Sequence, residues 1–317
     1  MKRISSLFFI LIAFSLASAS IASAQTRPPL PRASQKASVT QTIGTTEVSV
    51  TYSRPAVKGR KIWGDWPTEV AGEATLDNQN QRPAGAPIVP YGHLWRAGAN
   101  EATLFTVTDD VLINGQPLAA GAYSLHMIPG KDEWTVVFNK DDGQWGSFAY
   151  DAKKDALRVK TKPQWVEENK ELLYFNVDHV GADTGTVNLR WEKIRVPFTV
   201  QVKDVVASTM ARLRTYVAGA KPDEWQRPFN AANYASQNKQ TADAAKWIEQ
   251  ALKAIDVAIA ANPNYANTSR KATILFAAGR TQEAIAAGEK AVAIGKAEKA
   301  NTAALEKRIA DAKAGKQ

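Results

Sequence analysis

The chain has no cysteine among its 317 residues. This absence excludes disulfide bonds, thiol catalysis, Cys-ligated zinc and attachment of a lipid through cysteine. Histidine is scarce, and its three residues form no H-x-H or H-E-x-x-H pattern at metal-ligand spacing. Walker-A, G-x-G-x-x-G and G-x-S-x-G patterns are also absent. We therefore predict no metal and no cofactor.

Long apolar runs are absent except at the start of the chain. Lys2 and Arg3 precede an apolar core, Ile4–Leu16, and the small residues Ala22-Ser23-Ala24 follow it. This order is typical of a secretory signal peptide, and it predicts cleavage between Ala24 and Gln25. The core is shorter than the ~20 residues of a membrane span. The sequence therefore predicts a periplasmic or secreted protein with no membrane span in the mature chain.

The basic charge lacks clustering. The formal net charge is +9, and removal of Lys2 and Arg3 leaves +7. No run of Lys and Arg is longer than Lys153-Lys154, whereas a nucleic-acid surface concentrates such residues. We therefore predict no nucleic-acid partner. A generally solvated basic surface, or mild attraction to acidic glycans or anionic lipids, remains.

The first part of the mature chain is patterned as strands. After a Pro- and Arg-rich leader at 25–38, alternation such as Thr46–Tyr52 continues to residue 202, and Asn114-Gly115 marks a tight hairpin. These signals predict an antiparallel β sandwich or barrel-like domain over 39–202. Residues 66–87 have few apolar side chains and predict a long loop insertion.

The second part, residues 203–317, changes to helical periodicity and predicts a separate domain in an α+β chain. Helices are predicted at 204–218 and 224–236. Ala251 and Ala284 lie 33 residues apart, as do Ala258 and Ala291. Because tetratricopeptide repeats have a period near 34, this spacing predicts a tetratricopeptide-like helical module that docks a protein partner. An ordinary Ala-rich bundle is the alternative.

Two stretches of the β region, 52–64 and 90–101, combine Arg, Trp and Gly. Arg offers a rigid donor fork for anions, and Trp offers a flat face for a sugar ring. They predict a site for an anionic or carbohydrate-like ligand, formed by Arg54, Lys58, Arg60, Trp63, Tyr91, Trp95, Arg96, Asn100 and Glu101. The alternative is structural: the Trp residues pack in the core, and Arg54, Arg96 and Glu101 tie the two loops together.

The β region also resembles a known bacterial family. The motifs that carry the resemblance are Tyr52-Ser53-Arg54-Pro55, Lys58-Gly59-Arg60-Lys61-Ile62-Trp63-Gly64, Trp95-Arg96-Ala97-Gly98-Ala99-Asn100-Glu101, Ile128-Pro129-Gly130-Lys131-Asp132 and Leu189-Arg190-Trp191-Glu192. Over about residues 37–200 the chain is similar to exported proteins called domain of unknown function 2911. The resemblance implies export, one β domain and often a repeat-like helical tail, and it implies no activity. The 66–87 segment departs from the family pattern.

Three functions are compatible with these observations. The first is a non-enzymatic binding or envelope-associated protein. The second is a periplasmic hydrolase of envelope glycans that uses Glu101 or His126 as general acid or base. The third is a structural scaffold. A cupin-like metal set of His93, His126 and Glu101 is a further, weaker alternative, because the usual cupin order of ligands is missing.

Overall fold

The computed structural model describes residues 30–66 and 85–316. The predicted signal peptide, the start of the predicted leader and most of the predicted insertion at 66–87 lie outside these residues. From Ser34 onward the described residues form one compact unit. The division into two domains at residue 203 therefore stays a prediction.

Strands fill the described chain up to residue 202. In chain order they are β1 (Gln35–Ile43), β2 (Thr46–Arg54), β3 (Trp63–Gly64), β4 (Val89–Pro90), β5 (Thr103–Val107), β6 (Val111–Ile113), β7 (Gln116–Leu118), β8 (Gly121–Ile128), β9 (Trp134–Asn139), β10 (Asp155–Thr161), β11 (Gln164–Asp178) and β12 (Thr184–Val202).

The strands form two antiparallel sheets and one short parallel pair. The first sheet has the order β1-β2-β5-β8-β9-β10, and the second has the order β11-β12-β6-β7. The sheets pack face to face, because Phe198 of β12 contacts Phe105 of β5 at 6.1 Å and Phe138 of β9 at 5.7 Å between ring centroids. The predicted antiparallel β region is confirmed. β3 and β4 form the parallel pair beside the core.

Local sequence explains these elements well. Asn114 and Gly115 both have positive φ angles, 46° and 80°, as a two-residue type I′ turn requires. They join β6 to β7 in the predicted hairpin. Two boundaries differ from the sequence prediction. β1 begins at Gln35, inside the predicted leader, and β12 is one uninterrupted strand where the sequence pattern predicts two, at 186–191 and 196–202.

Four tryptophans lie at the centre of the β core. The ring of Trp63 meets Trp95, Trp134 and Trp191 edge to face at centroid distances of 5.7, 5.1 and 5.6 Å. Trp95 also stacks on Trp191 at 5.9 Å. All four are buried. Burial of such large apolar surfaces is the main stabilising contribution in this region.

Helices form the rest of the described chain, and the predicted helical region is confirmed. They are α1 (Val205–Ala218), α2 (Gln226–Gln237), α3 (Thr241–Ala261), α4 (Tyr265–Ala277), α5 (Thr281–Ala297) and α6 (Ala303–Lys313). α1 begins where it was predicted, since the Asp204 side chain accepts a hydrogen bond from the Ala207 N–H as an N-cap. Within the described residues no helix combines the length and apolarity needed to cross a membrane.

The helices from α2 onward pair as antiparallel hairpins, α2 with α3 and α4 with α5. The two hairpin turns have equivalent positive-φ residues, Lys239 and Gly279, which are 40 positions apart. Equivalent positions of the two hairpins are therefore 40 residues apart. The 33-residue spacing noted in the sequence pairs residues that miss this equivalence by seven positions, which is about two helical turns. The buried small residues of that pattern, among them Ala251, Ala284 and Ala291, do pack between helices.

α1 connects the helices to the β region. Arg212 of α1 donates to the Asp109 carboxylate between β5 and β6, and Thr46 donates to the same carboxylate at 2.8 Å. Val205 packs against the β core, close to Gly44 in the β1–β2 turn. The first turns of α1 are thereby fixed to the β sheets.

Candidate functional site

Two rows of mostly polar side chains cross the outer face of the six-stranded sheet. Alternation directs Tyr52, Phe105, Leu125 and Phe138 into the core, so their neighbours in sequence face outward. The strand registers then align two rows on this outer face. The first row is Ser38, Thr51, Leu104, Ser124, Asn139 and Asp155, and the second includes Lys36, Ser53, His126 and Arg158.

The loop at 140–151 covers the middle of these rows. Gln144 Nε2 donates to Ser124 Oγ at 3.3 Å and to the Asp141 carbonyl at 3.0 Å. The backbone of the loop bonds to residues 100–102: Ala102 N donates to Gln144 O at 3.1 Å, and Gly146 N donates to Asn100 O at 2.9 Å. Ser124 and His126 are fully buried beneath this cover.

A charged cluster fixes the far end of the loop. Asp155 accepts hydrogen bonds from Asn139 at 2.7 Å, from the Tyr150 hydroxyl at 2.8 Å and from Arg158 Nε at 2.6 Å. Burial and the neighbouring Asp155 carboxylate raise the pKa of Tyr150 far above its ordinary value. Tyr150 therefore remains neutral and donates its hydroxyl hydrogen to Asp155. The bonds to Asp155 hold this end of the loop in place.

A cavity of about 140 Å³ opens where the cover ends, beside β1 and β2. It is larger than the ~30 Å³ occupied by one water molecule, so it can admit part of a small ligand. Its polar lining consists of Lys36, Thr51, Ser53, Glu101, Asp142 and Gln144. Trp145, the next residue along the loop, is 39% exposed and bridges Glu101 through the backbone. A partly open aromatic side chain therefore lies next to the cavity.

Gln144 is held firmly at the wall of the cavity. The residue is 6% exposed, and its Oε1 is buried without a hydrogen-bond partner in the described part of the chain. The amide orientation is determined, since the Asp141 carbonyl accepts only from the NH₂ group. A buried acceptor without a donor costs about 1–3 kcal/mol.

The three predicted arginines are each bonded to backbone carbonyls, whereas Lys58 contributes only its backbone N–H. Arg54 Nε donates to Leu173 O at 2.9 Å, and Arg96 Nη1 donates to Asn100 O at 3.3 Å. Arg60 donates to Val57 O at 3.1 Å and to Ala56 O, within its own turn. Lys58 is exposed, and its N–H donates to the Glu171 carboxylate at 2.8 Å. These contacts favour the structural alternative, in which the cations tie the loops together.

The predicted aromatic residues are also occupied in packing. Trp63 and Trp95 are buried in the tryptophan cluster, where neighbouring rings lie against them, so neither offers an open face to a sugar. Tyr91 is half-buried against the core, and burial followed by the Asp65 charge raises the pKa of its hydroxyl. Trp63 and Trp95 therefore pack in the core, as in the structural alternative, and Tyr91 packs against it.

Of the predicted residues Glu101 alone lines the cavity in the described structure, and Asn100 holds the backbone beside it. Asn100 has a φ of +61°, and its Nδ2 donates to Ser34 O at 2.9 Å. Glu101 is half-buried and lines the cavity. The histidines are separated: His93 is buried beside Trp66, whereas His126 is buried beside Ser124 and Tyr150. No group of three or more potential metal ligands occurs in residues 30–66 and 85–316.

Sequence reasoning missed most of the cavity. Thr51 and Ser53 had a usable signal, since alternation around Tyr52 places both on the face opposite the core. Lys36, Asp142 and Gln144 had none, because only strand pairing and the covering loop bring them beside β2.

Comparison with known proteins gives one match. The family model described as protein of unknown function (DUF2911) matches residues 34–200, which include the whole cavity. No curated protein and no solved structure matches the chain.

Proposed function

Because the chain belongs to the DUF2911 family of proteins of unknown function, we propose its function from the site itself. It is an exported, non-enzymatic binding protein. Its β region takes a carbohydrate-like ligand in the cavity beside Gln144, and its helical region docks a protein partner. The observation that carries the first half is a cavity lined by hydroxyl, carboxylate and amide side chains, with the partly exposed Trp145 next to it in the chain.

A carbohydrate-like ligand fits the composition of this site. Sugars present many hydroxyl groups, which can donate to the carboxylates and hydroxyls of the lining and can also accept from Lys36. Trp145 supplies a partly exposed ring beside the cavity, where an apolar sugar face can pack. This assigns to Trp145 the stacking role that the sequence suggested for Trp63 and Trp95.

Calorimetric titration with a panel of neutral, amino and acidic monosaccharides tests this function. Gly143 lines the cavity, and a Cβ atom added there meets no other atom within 4 Å. Gly143→Leu should therefore fold normally, fill the mouth of the cavity and abolish binding. Asp132→Leu places the same residue at an exposed turn and should bind as the wild type does. Equal binding by both variants contradicts the proposed site.

The hydrolase alternative has less support. His126 is fully buried under the fixed loop, and a general acid or base needs contact with the substrate. Glu101 is the more accessible candidate. Incubation of the protein with envelope glycans, followed by assay for new reducing ends, separates the two functions. Turnover that is lost in Glu101→Gln would favour the hydrolase, whereas binding without turnover supports the proposal.

The helical region is proposed as a tetratricopeptide-like second domain from residue 203. The hairpin of α2 and α3 and the hairpin of α4 and α5 support a repeat of helix pairs, and the 40 residues between their equivalent turns exceed the ~34 of a regular tetratricopeptide repeat. Cavities of about 510 and 750 Å³ adjoin at Ala277, one against α2 and α3 and the other against α6. Residues 203–317 hold 18 Lys and Arg but 11 Asp and Glu, a net charge of +7. A partner segment of negative charge therefore fits this groove.

Lys307 and Arg308 of α6 line the larger cavity and provide the test of partner docking. Poly-L-glutamate should bind the full chain at low salt, and poly-L-lysine should not. Lys307→Glu together with Arg308→Glu should abolish the binding, while Lys253→Glu on α3 serves as the control for net charge. Binding that survives the double variant would contradict docking in this groove.

Export is the last element of the proposal. The predicted cleavage site leads to a simple measurement, in which the first residue of the protein recovered from the periplasm or medium is determined. The sequence should start at Gln25. A cytosolic protein that retains Met1 would contradict export.

A further inference from the structure

The two large sheets have four edge strands, and three of these edges are protected by the chain itself. At the edge of β11, Leu173 N donates to Pro55 O at 3.0 Å, so the segment after β2 covers it. β7 is only three residues long and contains Pro117. β10 lies beside β7, and its Lys160 carbonyl accepts from Asn114 Nδ2 at 3.0 Å. Short strands, proline and covering segments are common ways to prevent an edge from pairing with another strand.

The remaining edge strand, β1, is long and open. Its nine residues, Gln35–Ile43, pair with β2 along their full length. A two-residue turn joins the two strands, so the flanking pair of Ile43 and Thr46 is hydrogen-bonded, and such pairs alternate along the ladder. The residues whose backbone N–H and C=O groups point away from β2 are therefore Lys36, Ser38, Thr40 and Thr42.

These outward backbone groups have one hydrogen-bond partner within the part of the chain that the structure describes. The Thr42 carbonyl accepts from the exposed side chain of Gln41 at 2.8 Å, and a neighbouring strand can displace this side chain. No other segment of the described chain bonds to the outer side of β1. Apart from Lys36, the strand contains no charged residue and no proline that would discourage pairing.

We propose that β1 pairs antiparallel with β1 of a second copy of this chain, so that two six-stranded sheets become one continuous sheet. A two-fold axis at Val39 places Ser38 opposite Thr40 of the partner subunit, and Lys36 opposite Thr42 of the partner subunit. In this register all the outward-facing residues of the strand pair with one another. Self-complementary contacts around a two-fold axis are the commonest arrangement of soluble homo-oligomers.

The side chains of β1 favour a second copy as the occupant of this edge. The symmetric register places Val39 against its own copy and Ser38 against Thr40, and apolar and hydroxyl pairs of this kind stabilise adjacent strands. Lys36 is the only charged residue of β1. It meets Thr42 in this register and lies ~20 Å along the strand from the other copy of Lys36. Like charges therefore do not meet across the axis.

Sedimentation velocity of the full chain without its predicted signal peptide tests the association. We expect a species of twice the mass of one chain. Ser38→Lys together with Thr40→Lys sets like charges opposite one another across the axis and should return the protein to single chains. Ser38→Lys together with Thr40→Glu sets opposite charges at the same positions and should restore the dimer. Both residues are exposed, so the circular dichroism spectrum should stay unchanged in both variants.

The absence of cysteine from the chain allows a direct test of the register. Val39 lies on the axis in a non-hydrogen-bonded pair, where Cα atoms are about 4.5 Å apart, a distance that a disulfide can bridge. Mild oxidation of Val39→Cys should therefore link two chains on a non-reducing gel. Thr42→Cys is the matched control, because this exposed position lies ~20 Å from its own copy. It should give single chains.

Two sets of outcomes decide the proposal. A wild-type mass of one chain at every concentration would overturn it, since the edge of β1 would then stay open in solution. A dimer that survives the two-lysine variant, or that cross-links equally well through both cysteines, would place the interface elsewhere and would also overturn it. Dissociation by the two lysines, rescue by the opposite charges and selective cross-linking through Val39→Cys would support pairing of β1 with β1.

Discussion

The β region and the helical region pack their buried side chains in different ways. The β region buries large aromatic side chains in one continuous cluster, with Trp63 touching three other tryptophans. The helices bury mainly alanine, leucine and isoleucine, with the single tryptophan Trp247, in three separate clusters, each between neighbouring helices. The β region therefore has one continuous core, whereas the helical region is held together by contacts between successive helices.

Charge follows the same division. Residues 25–202 hold 20 Lys and Arg and 20 Asp and Glu, so they are neutral, whereas residues 203–317 carry +7. The neutral region presents a small cavity with a polar lining, and the basic region presents a broad groove. The comparison teaches that net charge of the whole chain is a poor guide to its ligand, because the charge and the small cavity lie in different regions.

The largest effect should come from the tryptophan cluster. Trp63→Ala removes the ring at the centre of the β core and should lower the free energy of unfolding by about 3–5 kcal/mol. Guanidinium denaturation followed by circular dichroism measures this loss. Trp165→Ala is the matched control, since Trp165 is 61% exposed, and it should change stability by about 0.5 kcal/mol or less. Equal losses would mean that Trp63 is not central to the core.

A middle-sized effect should come from the helix contacts, and it should stay local. A Cβ at Gly288 would lie 2.8 Å from Ile309 of α6, so Gly288→Val should destabilise this contact by about 1–3 kcal/mol. Hydrogen exchange should speed up in α5 and α6 and stay unchanged in α2 and α3. Lys290→Val, on the exposed side of α5, is the control. Faster exchange throughout the β sheets would contradict the row-like organisation.

The smallest effect should come from the junction of the two regions. Burial alone would raise the pKa of Asp109, but hydrogen bonds from Thr46 and Arg212 and the charge of Arg212 lower it below its ordinary value of 3.8. The folded state therefore favours the charged carboxylate. Its contribution should be complete above pH 3.8 and should disappear as the pH falls through the lower folded pKa.

The measurement compares the stability of the wild type with that of Asp109→Asn across this pH range. At neutral pH the difference should be below about 1 kcal/mol, since the pair is partly exposed. The difference should shrink below pH 3.8. Glu289→Gln, which removes an exposed pair within the helices, is the control. A difference that grows on acidification would contradict the assigned direction of the pKa shift.

Much of the fold could be predicted because its signals are local. Asn114-Gly115 adopts the two positive φ angles that its hairpin needs, and Asp204 caps α1 at the predicted position. The repeat register could not be predicted, because positions seven apart on a helix have nearly the same direction. For that reason a spacing of 33 in the sequence resembled a structural spacing of 40.

The site was harder to predict, since residue type does not reveal what a side chain touches. Trp95 and Arg96 are adjacent and both suggested a ligand. Trp95 packs on Trp191 in the core, and Arg96 holds its own loop through Asn100 O. Glu101 lines the cavity. Gln144 lines it too, but nothing in the sequence around Gln144 indicated a binding role.

The sequence by itself determined which segments are strands and helices, which faces are apolar and which family the β region resembles, because these depend on neighbours within a few residues. The tertiary structure alone decided that Trp63 and Trp95 pack into the core and that a cavity with a polar lining opens beside Gln144. Strand order and register carry this decision, since they bring Lys36, Ser53 and Gln144 together from distant parts of the chain.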